Sequence, residues 1–299
     1  MDLVAQKKLL LIVNPKAGMQ KAEKHLTELI SIFYAHQFLP TVLITTKSGD
    51  AAFYAAKYAQ DYDLLVCVGG DGTFNEVIDG IMHKQHSIPL GYIPAGSTND
   101  FAASLGLSTQ LPLAAEAIMH GSDHCYDIGK FNNRYFSYVA SFGAFTKTSY
   151  STPQSVKNAL GHIAYLLEGI KDIPSIRKVH LRMETAECCL EGNYIFGAVS
   201  NSTSLGGILK LNPEYVDMND GFFEIMLIKS PSNPIELQSI LYALATQKYK
   251  ECPFIDFIHT EAVTFFFDEA IPWSLDGEHN RGGTEVTIQN IHSAIHLIC

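Results

Sequence analysis

Positive charge is scarce in this chain of 299 residues: 21 Lys+Arg stand against 31 Asp+Glu, a formal net charge of −10, and charged residues reach only 17%. A phosphate backbone needs a basic footprint, so this balance argues against nucleic acid as a partner. Long apolar runs are also missing, and none approaches the ~18–20 residues that span a bilayer. Lys7-Lys8 precede an apolar stretch, Leu9–Val13, but Asn14-Pro15 ends it short of a secretory signal. The six cysteines form no C-x-x-C, which predicts reduced thiols and a cytoplasmic chain. The twelve histidines show no H-E-x-x-H and no Cys/His ligand cluster, which argues against a transition-metal enzyme. G-x-x-x-x-G-K-[ST] is absent, so a P-loop NTPase is disfavoured. What is present is apolar bulk, 47% of residues, enough for one large domain or two ordinary ones.

The first ~130 residues alternate short apolar runs with helical periodicity, the pattern of a parallel α/β sheet. Strands are expected at Leu9–Val13, Val42–Thr45, Leu64–Val68 and Leu90–Ile93, and helices over residues 22–36, from Asp50, over Phe74–Met82 and over Leu113–His120. The texture then turns β-rich: Tyr135–Ala140, Lys178–Met183, Tyr194–Val199, Phe222–Ile228, Val263–Phe267 and Glu285–Ile288 read as strands. Helical stretches interrupt them near Val156–Ile170 and Pro234–Tyr249. This predicts an α/β domain over residues 1–130 and a mostly antiparallel, β-sandwich-like second domain over residues 131–299, whose last segment returns to the first.

The third strand runs straight into Gly69-Gly70-Asp71-Gly72-Thr73, followed by Phe74-Asn75-Glu76. Glycines let the backbone turn sharply, and Thr73 with Glu76 has the spacing of a capping box, which places a helix start just after the turn. Main-chain N–H groups and the positive end of a helix dipole would form a phosphate cradle. A carboxylate beside phosphates, here Asp71, implies Mg²⁺ between them. The third glycine of a dinucleotide fingerprint is missing, so hydride transfer is disfavoured. Three further polar loops should fall on the same edge: Asn14–Gly18, Thr45–Asp50, and Pro94–Asp100, the last with Ser97 and Asp100 at capping-box spacing. Together they predict a nucleotide site for ATP with magnesium. In the second half, Asp276-Gly277-Glu278 offers two carboxylates, either of which could accept a hydroxyl proton during phosphoryl transfer. Asp217-Met218-Asn219-Asp220-Gly221 reads by itself as a turn.

Four of these elements, in order, carry a resemblance: Asn14-Pro15-x-Ala17-Gly18, Gly69–Thr73, Pro94-x-Gly96-Ser97-x-Asn99-Asp100-Phe101-Ala102, and Leu275–Glu278. With Lys157–Leu166 they make the chain similar to the soluble diacylglycerol kinase catalytic-domain family, which includes the bacterial lipid kinases. The Gly69–Thr73 element is shared with NAD kinases and phosphofructokinases, and the other three favour the lipid branch. The resemblance implies a two-domain fold with the nucleotide in the cleft and Glu278 as proton acceptor. It implies ATP contacts from Asn14, Thr45, Gly69, Gly70, Asp71, Gly72, Thr73, Phe74, Asn75 and Ser97, with Asp71 serving Mg–ATP. It further implies a second, structural Mg²⁺ held by the Asp220 side chain and the backbone of Asp217 and Phe222. The expected partners are ATP, a lipid alcohol such as diacylglycerol at a membrane surface, and a second copy of the chain as homodimer. A kinase for a soluble acceptor such as NAD and a nucleotide sensor without turnover are the rival readings.

Overall fold

The structure, a computed structural model, describes residues 6–18, 21–143, 178–205 and 209–299. The helix expected near Val156–Ile170 and the resembling segment Lys157–Leu166 lie outside them. The chain divides into two compact units: residues 1–128, 134–137 and 292–299 form the first, and residues 129–133 and 138–291 the second.

The first unit is an α/β layer structure. Strands β1 (Lys7–Val13), β2 (Phe38–Ile44), β3 (Leu64–Gly69) and β4 (Pro89–Pro94) alternate with helices α1 (Lys21–Ala35), α2 (Asp50–Tyr58), α3 (Asp71–Lys84), α4 (Asp100–Ser104) and α5 (Leu111–His120). All four strands are parallel in the order β2-β1-β3-β4. From Leu9 onward β1 is apolar and buried, as is β3, because helices cover both faces of a parallel sheet. β2 lies on the edge, where Pro40 is tolerated. The strand order reverses between β1 and β3, the point at which open α/β sheets bind ligands beyond their carboxyl ends. The alanines of α2 meet a helix as well as the sheet: a Cβ on Gly80 of α3 would collide with the Ala52 carbonyl oxygen. Two adjoining strands follow, β5 (Asp123–Phe131) and β6 (Arg134–Phe136), paired with each other.

The second unit is mostly antiparallel. It contains β7 (Val139–Gly143), β8 (Val179–Glu184), β9 (Cys189–Ser200), the short pair β10 (Ser204–Leu205) and β11 (Leu209–Lys210), β12 (Phe223–Lys229), helix α6 (Pro234–Thr246), β13 (Ile255–Thr260), β14 (Ala262–Phe267), β15 (Trp273–Leu275) and β16 (Glu278–Asn280). The last strand, β17 (Glu285–Ile298), pairs antiparallel with β14 at its start, while His296 and Leu297 near its end pair in parallel with β4. Trp273 anchors an aromatic core with Phe142 at 4.7 Å, Phe131 at 5.0 Å and Phe265 at 5.5 Å between ring centroids. Strand alternation turns Phe266 to the other face, where the Arg182 guanidinium lies 4.5 Å from its ring centroid.

Several expectations shift. Helix α3 begins at Asp71 rather than Phe74, and its N-cap Gly70 makes no side-chain cap. The expected strand Tyr135–Ala140 splits into β6 and β7, and β17 continues ten residues beyond Ile288. Strands β5, β13, β15 and β16 were not marked by alternation, being short or interrupted by charged and histidine residues.

Candidate functional site

Three loops of the first unit close on one another through glycines. Gly18 (φ 55°) sits so near the strand-four loop that a Cβ would collide with the Ala95 carbonyl. A Cβ on Gly96 would come within 2.6 Å of the Gly70 Cα. Backbone therefore meets backbone at the carboxyl ends of β1, β3 and β4, an approach that side chains would prevent.

Named side chains pin this arrangement. Asn14 Nδ2 donates to Thr73 Oγ1 at 2.9 Å, and the Asn14 amide donates to the Val68 carbonyl at 2.9 Å, joining the β1 and β3 ends at the switch point. Thr45 is buried and its amide donates to the Val13 carbonyl at 2.9 Å. The first bond back along α3 runs from the Phe74 amide to the Gly70 carbonyl, so the preceding N–H groups of Gly69–Thr73 lie at the open end of the helix. The Phe74 side chain is fully buried and stacks on Tyr92 at 4.3 Å and Phe101 at 5.0 Å, which leaves only its backbone to face a ligand. Asn75 is buried and donates to the Tyr135 carbonyl at 3.2 Å. Ser97 is exposed.

Neither capping box forms. Glu76 turns away from Thr73 and accepts from the Gly49 amide at 2.8 Å, the Ala51 amide at 3.1 Å and the Ser48 hydroxyl at 3.0 Å, so it caps α2 instead. Asp50 points back to the preceding loop, where the Thr46 amide and hydroxyl hold its carboxyl below the usual range. Helix α4 is capped from outside: Asp71 accepts from the Asp100 amide at 3.0 Å and from the Phe101 amide at 3.3 Å. Asn99, in the left-handed region (φ 54°), sets the start of that helix. The buried Asp100 thereby joins Asp71, a placement beyond the capping-box spacing with Ser97 that had marked it. Burial pushes the Tyr92 hydroxyl well up, and the Asp71 and Asp100 charges add to it. Two acids beside a helix N-terminus fit a phosphate group that carries a divalent cation.

In the second unit, Asp276 and Gly277 (φ 49° and 85°) form the two-residue turn between β15 and β16. The two carboxylates of this turn differ. Asp276 is buried and its Oδ1 accepts from the Tyr138 and Val139 amides, each at 3.0 Å. Its carboxylate is committed to the fold. Glu278 is half-buried, at the first position of β16.

The turn before β12 holds Asp217, Asp220 and Phe222. Asp217 Oδ1 accepts from the Asn219 amide at 3.0 Å, and Asp220 Oδ1 from the Phe222 amide at 2.9 Å. The Phe222 carbonyl accepts from Asn290 Nδ2 at 3.0 Å, which leaves its second lone pair. Behind this turn lies Glu224, buried, with no hydrogen bond to either carboxylate oxygen. Burial raises its carboxyl to about 8, with the Asp220 charge adding to the effect. His259 Nε2 lies between them, 3.2 Å from Asp220 Oδ2 and 3.7 Å from Glu224 Oε1. An oxygen-rich turn backed by an unsatisfied buried acid fits a hard divalent cation. The signal for Glu224 was available: it is the lone carboxylate in the apolar run Phe223–Ile228. Among the described residues, no helix is long and apolar enough to cross a membrane.

Comparison with known proteins agrees with this architecture. The family model described as the diacylglycerol kinase catalytic domain matches residues 8–131. The chain is 32% identical over 295 residues to a diacylglycerol kinase of Bacillus subtilis (strain 168), covering 98% of this chain and 96% of the relative. It is 31% identical over 275 residues to a diacylglycerol kinase of Staphylococcus saprophyticus subsp. saprophyticus, covering 92% and 90%. A crystal structure of a diacylglycerol kinase from Bacillus anthracis str. Sterne matches with a TM-score of 0.79 at 26% identity, over 98% of this chain and 96% of that one. The parallel α/β unit, the antiparallel second unit and the near full-length similarity place the chain in the diacylglycerol kinase family, a family of lipid kinases.

Proposed function

We propose that the protein transfers the γ-phosphoryl group of ATP to the hydroxyl of a lipid alcohol, with diacylglycerol as the acceptor. The observation that carries this reading is the Asn14–Thr73 bond at the switch point, beside the open N-terminus of α3. Main-chain amides of Gly69–Thr73 hold the phosphates, while Asn14, Thr45, Asn75, Ser97 and the Phe74 backbone shape the nucleotide pocket. Residues 1–130 serve the nucleotide and residues 131–299 the lipid, at the surface of a cytoplasmic membrane face.

Mg²⁺ bound with ATP neutralises charge on the transferring phosphoryl group, and Asp71 is the residue that serves it. The Asp220 carboxylate and the Asp217 and Phe222 carbonyls would hold a second, structural Mg²⁺. Glu278 accepts the proton of the acceptor hydroxyl as the new P–O bond forms and the γ-phosphorus bond to the departing ADP breaks. The commitment of Asp276 to two backbone amides supports Glu278, rather than Asp276, as the turn's proton acceptor. Positioning and electrostatic stabilisation supply most of the rate.

The test is transfer from [γ-³²P]ATP to diacylglycerol, ceramide and a sphingoid base in mixed micelles, with NAD as a soluble acceptor. Label in phosphatidic acid supports the reading. Label in NAD alone, or in no acceptor, refutes it.

A further inference from the structure

Two histidines and a glutamate far apart in sequence meet where helices α1 and α5 end. His36 follows the last residue of α1, and Glu116 and His120 are one turn apart on α5. His36 Nε2 lies 3.2 Å from Glu116 Oε2, and His120 Nε2 lies 3.6 Å from the same oxygen. The three ligand atoms all fall within 4.8 Å of one another. The two imidazoles meet edge to face with centroids 4.9 Å apart.

We propose that His36, Glu116 and His120 form a binding site for a zinc-class transition-metal ion. Two imidazole nitrogens and one carboxylate oxygen are the donors of a His₂Glu zinc site, and they disfavour Mg²⁺, which prefers oxygen alone. The spacing fits as well. With metal–ligand bonds of ~2.0–2.1 Å, the edges of a tetrahedron are about 3.3–3.4 Å long. The two Glu116 edges, 3.2 and 3.6 Å, straddle that length. Side-chain exposures of 30% for His36, 45% for Glu116 and 71% for His120 leave the fourth position open to water.

The site is separate from the nucleotide loops. Helix α1 leaves the carboxyl end of β1 and runs back, so His36, two residues before β2 begins, lies at the opposite edge of the same sheet. The ion therefore has a structural role, clamping the end of α1 to α5. Beneath it the two helices already share core contacts among Leu29, Phe33, Leu111, Ala115 and Ile118. No short ligand motif marks this site, because His36 and Glu116 are 80 residues apart.

The test uses full-length protein stripped with a chelator and titrated with Co²⁺, then with Zn²⁺ against a chromogenic chelator. The expected result is one equivalent, with the visible bands of tetrahedral Co²⁺ and no thiolate charge-transfer band. Loss of an outer-sphere partner alone costs a metal site roughly 10–100-fold, so His36→Ala, His120→Ala and Glu116→Gln should each weaken Zn²⁺ by at least about tenfold. His25→Ala, on the same helix, should change nothing. Zn²⁺ should raise the melting temperature of the parent chain and leave the doubly substituted H36A/H120A chain unmoved. If that variant fails to fold, the isosteric Glu116→Gln decides. Absent Co²⁺ bands, or equal binding by Glu116→Gln, overturns the proposal.

Discussion

The carboxylate of Asp71 receives the main-chain N–H of Asp100 at 3.0 Å, so one acid in the first turn of α3 also starts helix α4. The expected metal-facing role of Asp71 therefore rests on a side chain that already organises the loop after β4. Asp71→Ala should leave the Asp100 and Phe101 amides without this acceptor, at a cost of about 1–3 kcal/mol. Asp71→Asn should recover part of that stability while failing to restore turnover with Mg–ATP. Urea denaturation and steady-state kinetics on the two variants separate the roles. Full activity in Asp71→Asn would leave this acid with its capping role only.

Gly96 and Gly70 approach so closely that the loops after β3 and β4 have no room for a methyl group between them. Overpacking of this kind costs ~1–3 kcal/mol, equivalent to roughly 5- to 150-fold in a binding constant if the loops shift instead. Gly96→Ala should weaken binding of a fluorescent ATP analogue within that range. Unchanged nucleotide affinity and unchanged stability together would mean that the loop pair does not form the pocket.

Much of the first unit was legible in the sequence, because Leu9–Val13 of β1 and Leu64–Val68 of β3 are unbroken apolar runs and the Gly69–Thr73 element leads from a strand into a helix. The capping pattern was not, since Glu76 and Asp71 each serve a neighbouring helix, and local spacing cannot tell a cap within one helix from a cap across two. The same limit hid Glu224. Its place as the lone carboxylate of β12 was visible, but its isolation from hydrogen-bond donors is a property of packing. Asp276 and Glu278 were equivalent by spacing; the family resemblance pointed to Glu278, and burial and the Tyr138 and Val139 amides set Asp276 apart.

Glu224 gives the metal-free protein a pH dependence of stability. Its carboxyl ionises near 4.5 when unfolded and near 8 when folded, because burial penalises its charge and Asp220 repels it. Asp217 adds repulsion, while Lys250 opposes it, and the His259 ring lies 3.7 Å from Glu224 Oε1. The folded state thus holds an extra proton across this window, and stability falls as pH rises from about 5 towards 8. In EDTA, melting temperatures should decline over that range, and Glu224→Gln should flatten the slope. Added Mg²⁺ at pH 8 should raise the melting temperature of the parent chain more than that of Glu224→Gln. Equal slopes in the two proteins would show that Glu224 is not the group that titrates.

The assignment of Asp276 to the fold and Glu278 to chemistry predicts opposite signatures at two residues of one turn. Asp276→Asn should lower stability, because its Oδ1 accepts two buried backbone amides. Thermal melts of the two variants side by side check this, with the Glu278→Gln midpoint close to that of the parent. A destabilised Glu278→Gln beside an unaffected Asp276→Asn would reverse the assignment.

The most direct measurement is kcat for diacylglycerol phosphorylation by Glu278→Gln, taken with its dissociation constant for Mg–ATP. Loss of a general base costs roughly 100- to 10,000-fold, so kcat should fall by that factor while nucleotide affinity stays at the parent value. A kcat equal to the parent's would contradict the account, because the acceptor hydroxyl would then lose its proton without Glu278.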